Sequence, residues 1–186
     1  MRIISGKYGG RRFNRRLPSG IRPTLDAVRE AVFNILFNMY DFAGLRVADL
    51  YAGTGAMGLE ALSRGAADCT FVEKNPKTAA FIKGIAVEMG IGKDQFNIIN
   101  TDAVKFLKNY DQDEYGTHDI VFADPPYKAP EIEELPIYLI NSGILIEKGV
   151  FVFEYSSEYR IPPPMGMTEY DFKIYGDTAI SIYESL

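Results

Sequence analysis

The sequence predicts an α/β fold, a largely parallel sheet covered on both faces by helices, and three observations carry that expectation. Val47-Ala48-Asp49-Leu50 is an apolar run that leads into closely spaced glycines, Gly53, Gly55 and Gly58, just before the helical pattern Leu59 to Leu62. That order describes a buried strand, a tight turn and a helix N-terminus. From Leu45 onward, short apolar runs alternate with segments of helical period, as β-α-β repetition requires. Acidic residues close several of these runs, at Glu73, Asp102 and Asp124.

Taken in order, Arg2 to Gly6 and Arg12-Phe13 are short runs broken by Gly6, Gly9 and Gly10, which favours a glycine-turned ribbon over a helix. Thr24 is placed to cap a helix from about Leu25 to Tyr40, with Val28, Ala31, Val32, Ile35, Leu36 and Met39 at helical spacing. A helix from Gly58 to Arg64 precedes a strand from Cys69 to Glu73. Asn75 can cap the next helix, with Pro76 at its first position and Ala79, Ile82, Ala86 and Met89 on its buried face. Phe96 to Ile99 reads as a strand, Ala103 to Tyr110 as a helix, and Asp119 to Ala123 as a strand after the polar segment Asp111 to Thr117. Pro130 and Pro136 interrupt the following helical pattern and leave Glu133 to Ile140. Gly149 to Phe153 is a further strand, and Pro162-Pro163-Pro164 an extended loop. Tyr170 to Tyr175 and Ala179 to Tyr183 form an antiparallel hairpin around Gly176-Asp177-Thr178. The division expected is a basic ribbon and linker, 1–23, and a body, 24–186.

A chain of 186 residues, 47% hydrophobic and 24% charged, fits one domain with a substantial core. No apolar run approaches the roughly 20 residues of a membrane-spanning helix, and no signal-peptide core follows Arg2, so a cytoplasmic protein without a membrane partner is expected. Cys69, the sole cysteine, excludes an internal disulfide and reads as packing; His118, the only histidine, supports neither histidine catalysis nor a metal cluster. The net charge of −5 conceals an asymmetry. Arg2, Lys7, Arg11, Arg12, Arg15, Arg16 and Arg22 give the first 22 residues a balance of +7, with no acid, and leave −12 on the rest. A basic arm on an acidic body suits a phosphate backbone, because the local field governs that contact.

Gly53, Gly55 and Gly58 spell Gly-x-Gly-x-x-Gly, which by itself also suits a structural turn or a nicotinamide-dinucleotide site. Glu73, 20 residues after Gly53, stands where an acid commonly accepts hydrogen bonds from ribose hydroxyls. Asp49 would crowd a pyrophosphate but suits S-adenosylmethionine, which has no phosphate and carries an amino group and a sulfonium. Asp124-Pro125-Pro126-Tyr127 at a strand end is the sharper signal. An aspartate and a proline carbonyl can accept the hydrogens of a planar exocyclic amine, and Tyr127 can stack on a base.

The chain resembles the bacterial 16S ribosomal RNA guanine-N2 methyltransferase family. The resemblance rests on Ser5-Gly6-Lys7-Tyr8-Gly9-Gly10-Arg11-Arg12, Arg22-Pro23-Thr24, Val28 to Leu36, Asp49 to Ala66, Phe71-Val72-Glu73-Lys74, Asp124-Pro125-Pro126-Tyr127 and Tyr175-Gly176-Asp177-Thr178-Ala179. It implies a class I methyltransferase (Rossmann-like) seven-stranded sheet of order 3-2-1-4-5-7-6 with strand 7 antiparallel, plus a small N-terminal extension. It implies S-adenosylmethionine held by Asp49, Tyr51, Gly53, Gly55, Glu73, Lys74, Asp102 and Ala103, with helix capping an alternative role for Asp102. Asp124, Pro125 and Tyr127 are the implied catalytic residues. Lys7, Arg11, Arg12, Arg15, Arg16 and Arg22 are the candidates for RNA phosphate. The implied substrate is one guanine of 16S rRNA, presented in a 30S subunit or assembly intermediate, to a monomeric enzyme. Adenine-N6 methylation of DNA or RNA, or a nonenzymatic RNA-binding assembly factor, are the alternatives. Tyr155 departs from the pattern: members often have histidine after the glutamate that ends the fifth strand.

Overall fold

The computed structural model describes residues 1–16, 18, 26–127 and 129–186; the expected cap Thr24 and the basic Arg22 lie outside the described residues. The elements are α1 (Asp26–Met39), β1 (Arg46–Leu50), α2 (Ala56–Arg64), β2 (Asp68–Val72), α3 (Pro76–Met89), β3 (Phe96–Ile99), α4 (Ala103–Lys108), α5 (Gln112–Tyr115), β4 (His118–Ala123), α6 (Leu135–Ser142), β5 (Leu145–Ser156), β6 (Met167–Tyr175) and β7 (Thr178–Ser185). The strands form one seven-stranded sheet in the expected order, β3-β2-β1-β4-β5-β7-β6. β1 to β5 pair in parallel, and β7 runs antiparallel to both β5 and β6.

Several element ends shift by one to three residues from the sequence expectation, and two differences go further. The polar segment after α4 contains the short helix α5, because the Asp111 side chain accepts a hydrogen bond from the Asp113 N–H and caps it. β5 begins four residues earlier than Gly149 (at Leu145), and its pairing with β4 slips: Leu145 lies opposite His118, and Val150 opposite Ile120. The extra residues are absorbed where Lys148 takes a left-handed φ of 59°.

Alternation along each strand divides the apolar residues between two layers. Val32 and Leu36 of α1, Leu59 of α2 and Ile82 and Ile85 of α3 pack with Val47, Phe122 and Val152 on one face. Phe106 of α4 and Leu135 and Leu139 of α6 pack with Leu50, Val121, Phe151 and Phe153 on the other. Asn75 caps α3 by accepting from the Lys77 N–H, with Pro76 opening the helix.

The N-terminal residues form the expected ribbon: Ile3 N–H donates to the Arg11 carbonyl at 3.0 Å, and Gly10 N–H to the Ile3 carbonyl at 2.9 Å. The ribbon is fastened to α2. Fully buried Glu60 accepts from the Ile4 and Ser5 N–H groups at 2.7 and 3.0 Å. The Ser63 hydroxyl accepts from Tyr8 N–H at 3.0 Å and donates to the Ser5 carbonyl at 2.5 Å. Gly6, at φ 80°, passes so close to α2 that an added Cβ would sit 1.9 Å from the Ser63 carbonyl oxygen. Arg64 Nε lies 2.9 Å from Glu60, while buried Arg29 lies 4.0 Å from it and donates to the Arg2 carbonyl at 2.8 Å. Burial lowers the Arg29 pKa, and Glu60 and Asp26 oppose that shift.

Glu60→Ala therefore unfastens two ribbon amides, takes from Arg64 its partner at 2.9 Å, and leaves buried Arg29 with Asp26 as its remaining carboxylate. A loss of about 3–5 kcal/mol in urea denaturation is expected, the scale for breaking a buried ion pair from one side. A loss below about 1 kcal/mol would show that the carboxylate is not the anchor.

Candidate active site

Because β1 to β5 are parallel, their C-terminal ends share one edge of the sheet, and the loops leaving that edge carry the acidic residues. Asp49 is buried near the end of β1, and its Oδ2 accepts from Gly58 N–H in the first turn of α2 at 3.0 Å. Burial raises its pKa to about 8 despite that bond, and the nearby Asp124 and Glu73 charges push the same way. The chain then turns through Tyr51, Gly53 and Gly55, all at positive φ (56°, 52° and 71°). Tyr51 is the strained member, since a residue with a side chain seldom adopts this region. Its hydroxyl donates to Glu131 at 3.3 Å, a partner from the loop before α6 that the sequence did not suggest. Burial and Glu131 raise the Tyr51 pKa. Gly55 caps α2 with no side-chain bond, so α2 starts on bare backbone.

Glu73, after β2, ties this loop to the next. One oxygen accepts from Gly53 N–H at 2.9 Å, and the other from Asn75 N–H at 2.7 Å. Lys74 beside it is exposed, and Asn100 donates to the Glu73 carbonyl at 2.7 Å. Asp102, after β3, caps α4 by accepting from Lys105 N–H at 3.1 Å; Ala103, the first residue of α4, is buried. Three successive strands thus end in carboxylates, at Asp49, Glu73 and Asp102. The amino group, ribose hydroxyls and adenine amine of S-adenosylmethionine are all donors, so this acceptor set matches it chemically.

Asp124 follows β4 directly, with Pro125 buried and Pro126 exposed. The Tyr127 hydroxyl pairs with the Thr178 hydroxyl at 2.5 Å, so the turn between β6 and β7 steadies this ring. That contact gives Gly176-Asp177-Thr178 a place at the site, which its sequence alone did not indicate. Asp49, Asp124 and Glu154 line one recess with Met57 of α2 and Val28 and Val32 of α1. Tyr155 points to the other face, where its hydroxyl meets Ser181 at 2.8 Å in the second core layer. The position that often holds histidine is therefore turned away from the recess.

The basic residues divide by their partners. Arg15 pairs with Glu88 of α3 at 2.8 Å, and Arg11 donates to the Met89 carbonyl at 3.4 Å with its guanidinium 5.2 Å from the Tyr8 ring centre. Lys7 also lies over Tyr8, at 5.2 Å. Arg12 and Arg16 are exposed and form no ion pair among the described residues. His118 is buried away from the site between Tyr110 and Thr70, and burial beside Arg46 lowers its pKa to about 4. Cys69 is buried in the first layer.

Asp49 sets a pH signature in the ligand-free protein. The folded state holds a proton on it up to about pH 8, whereas the unfolded chain releases it near its ordinary 3.8. This contribution is full below the unfolded value and is lost as pH rises through the folded one. Stability should fall relative to Asp49→Asn by about 1.4 kcal/mol per pH unit across that window. Parallel urea curves for the two proteins between pH 5 and 8 would contradict the burial argument.

Comparisons with known proteins match the chain over its whole length. The family model described as conserved hypothetical protein 95 matches residues 1–184. Ribosomal RNA small subunit methyltransferase D of Escherichia coli K12 is 33% identical, covering 99% of this chain and 89% of the relative. The protein of the same name from Haemophilus influenzae is 30% identical, covering 100% and 94%. Among solved structures, the Escherichia coli protein yhhF matches with TM-score 0.86 and 31% identity over 100% of this chain and 97% of that one. A likeness that runs through both the ribbon and the sheet, at this identity, means that the chain belongs to the bacterial small-subunit ribosomal RNA methyltransferase D family.

Proposed function

We propose that this protein transfers a methyl group from S-adenosylmethionine to the exocyclic N2 of a guanine in 16S ribosomal RNA. The observation that carries the reading is Asp124-Pro125-Pro126-Tyr127 at the end of β4, on the same recess as buried Asp49 and beside the glycine loop. Membership of the family supplies the RNA class. Asp49, Glu73 and Asp102 receive the donors of the cofactor, Gly53 and Gly55 bring backbone close to it, and Tyr51, Lys74 and Ala103 border it. When bound, S-adenosylmethionine supplies an electrophilic methyl on its sulfonium.

Guanine N2 is a weak nucleophile because its lone pair is shared with the ring. Asp124 and the Pro125 carbonyl accept its two hydrogens, which turns the lone pair out of the ring plane and toward the methyl. Tyr127, steadied by Thr178, stacks on the base. The proton leaves as the nitrogen becomes positive, so Asp124 need not be a strong base. Holding a base in this recess requires its removal from neighbouring stacks. The ribbon (Lys7, Arg11, Arg12, Arg15, Arg16, with Arg22 after it) holds RNA phosphate, and the protein acts as a cytoplasmic monomer on a 30S subunit or assembly intermediate. Methyl transfer to unmodified RNA, followed by nucleoside mass analysis, tests the reading. N2-methylguanosine is expected; N6-methyladenosine would replace the reading, and no transfer would favour a nonenzymatic factor.

Asp124→Asn should bind cofactor and RNA normally yet transfer slowly. Loss of a charge-assisted bond removes roughly 2–3 kcal/mol, and misalignment adds up to about 100-fold. Single-turnover transfer within threefold of the parent, at saturating cofactor and RNA, would remove Asp124 from its central role.

The salt dependence of RNA binding separates the arginines. Replacing both Arg12 and Arg16 with Ala should reduce the slope of log affinity against log salt by about 1.5, at roughly 0.7–0.9 per phosphate contact. Arg15→Ala should change it less, because Glu88 already occupies that side chain. An unchanged slope in the double variant would remove those two from the footprint.

A further inference from the structure

We propose that Glu154 reads the Watson–Crick edge of the target base, accepting the guanine N1–H beside the amine that Asp124 and Pro125 orient. The assignment rests on the guanine-N2 reading above. Its starting point is register. Phe153 of β5 lies opposite Ala123 of β4, so Glu154 is the next residue along from that pair, beside Asp124. Val152 and Ile180 belong to the layer beneath α1, while Phe153 and Tyr155 belong to the opposite layer. Alternation therefore brings Glu154 out on the α1 side, and it lines the recess with Asp49 and Asp124.

The chemistry supplies what Asp-Pro-Pro-Tyr lacks. That motif orients any planar exocyclic amine and makes no demand on the ring atom beside it. Guanine carries a donor there, N1–H, contiguous with the N2 hydrogens. Adenine and 2-aminopurine carry a lone pair at N1. A carboxylate at this position accepts from the first and repels the second, and a half-buried site enforces the difference more strongly than water would. Bases extruded from a stack are commonly read along this edge. The residue that follows, Tyr155, is committed to the core through Ser181, so Glu154 is the position on β5 turned to the base.

The probe is 2-aminopurine, which keeps the amine at the same ring position, lacks the 6-oxo group and changes N1 from donor to acceptor; comparing parent with variant isolates the part read by residue 154. Synthetic RNA carrying guanine or 2-aminopurine at the target position is ligated into 16S RNA and reconstituted into small-subunit particles, and single-turnover methyl transfer is measured on each. The parent protein should favour guanine, and the guanine-to-2-aminopurine rate ratio should fall at least tenfold in Glu154→Gln, whose amide can donate to N1. Intrinsic reactivity of the two bases cancels between proteins, and damage to the fold would slow both substrates together. Glu154→Ala, read in the same way, covers a failure of the amide variant to fold. A ratio within threefold of the parent's in the folded variant overturns the assignment while leaving N2-methylguanosine formation intact. Absence of N2-methylguanosine from the parent protein would instead remove the guanine-N2 reading, and this assignment with it.

Discussion

The close seating of α2 on the sheet is the contact on which the rest depends, and Gly58 permits it. An added Cβ there would lie 2.4 Å from the Phe71 ring and 2.5 Å from the Cys69 sulfur, so any side chain would lift the helix off β2. At this distance the Gly58 N–H reaches Asp49, which fixes the start of α2 against the end of β1. Further along, Glu60 and Ser63 face the ribbon and bind its amides. One nine-residue helix therefore joins the glycine loop to the basic arm. A shift in α2 would disturb both together, so the ribbon is part of the framework that holds the loop.

Electrostatics at the edge of the sheet follows from crowding several carboxylates there, of which Asp49 is buried and Glu73, Asp102 and Asp124 are half-buried. Glu73 is satisfied by two backbone amides, and Asp102 by a helix N-terminus. Asp49 has one amide and full burial, and it resolves the conflict by holding its proton to about pH 8. A ligand ammonium beside it would supply the missing charge and draw the proton off, so occupancy and ionisation at Asp49 are coupled. His118 is the contrasting case. Its burial lies between Tyr110 and Thr70, far from the loops, and keeps it neutral as a packing residue.

The antiparallel last strand does more than finish the sheet. It pairs along β5 from Val150 to Ser156, and this pairing carries the β6–β7 turn to the same edge as the loops after the parallel strands. Thr178 then meets Tyr127, and Ile180 lies opposite Glu154 across the β5–β7 pairing. The register decides which of two adjacent residues lines the recess: Glu154 emerges under α1, and Tyr155 enters the opposite core.

Much of this was legible in the chain itself. Apolar runs, glycine spacing and the caps at Asn75 and Pro76 specify strands and helices through local geometry, so their order and the parallel sheet could be read directly. Acids at strand ends stood out for the same reason, since strand termini are marked locally. The seven-strand order came through resemblance, because pairing between distant strands leaves no local mark. Tertiary structure alone decided which groups meet. Nothing local marks Glu60 as the buried anchor of the ribbon, and Glu131 lies in no motif; Thr178 and Glu154 fall in stretches that carry the resemblance, but their places beside Tyr127 and in the recess do not follow from those stretches. Arg15 was indistinguishable from Arg12 and Arg16 until Glu88 was brought beside it. Periodicity along a chain reports which face a residue takes, whereas its partner across 50 or more residues is set only when the layers close.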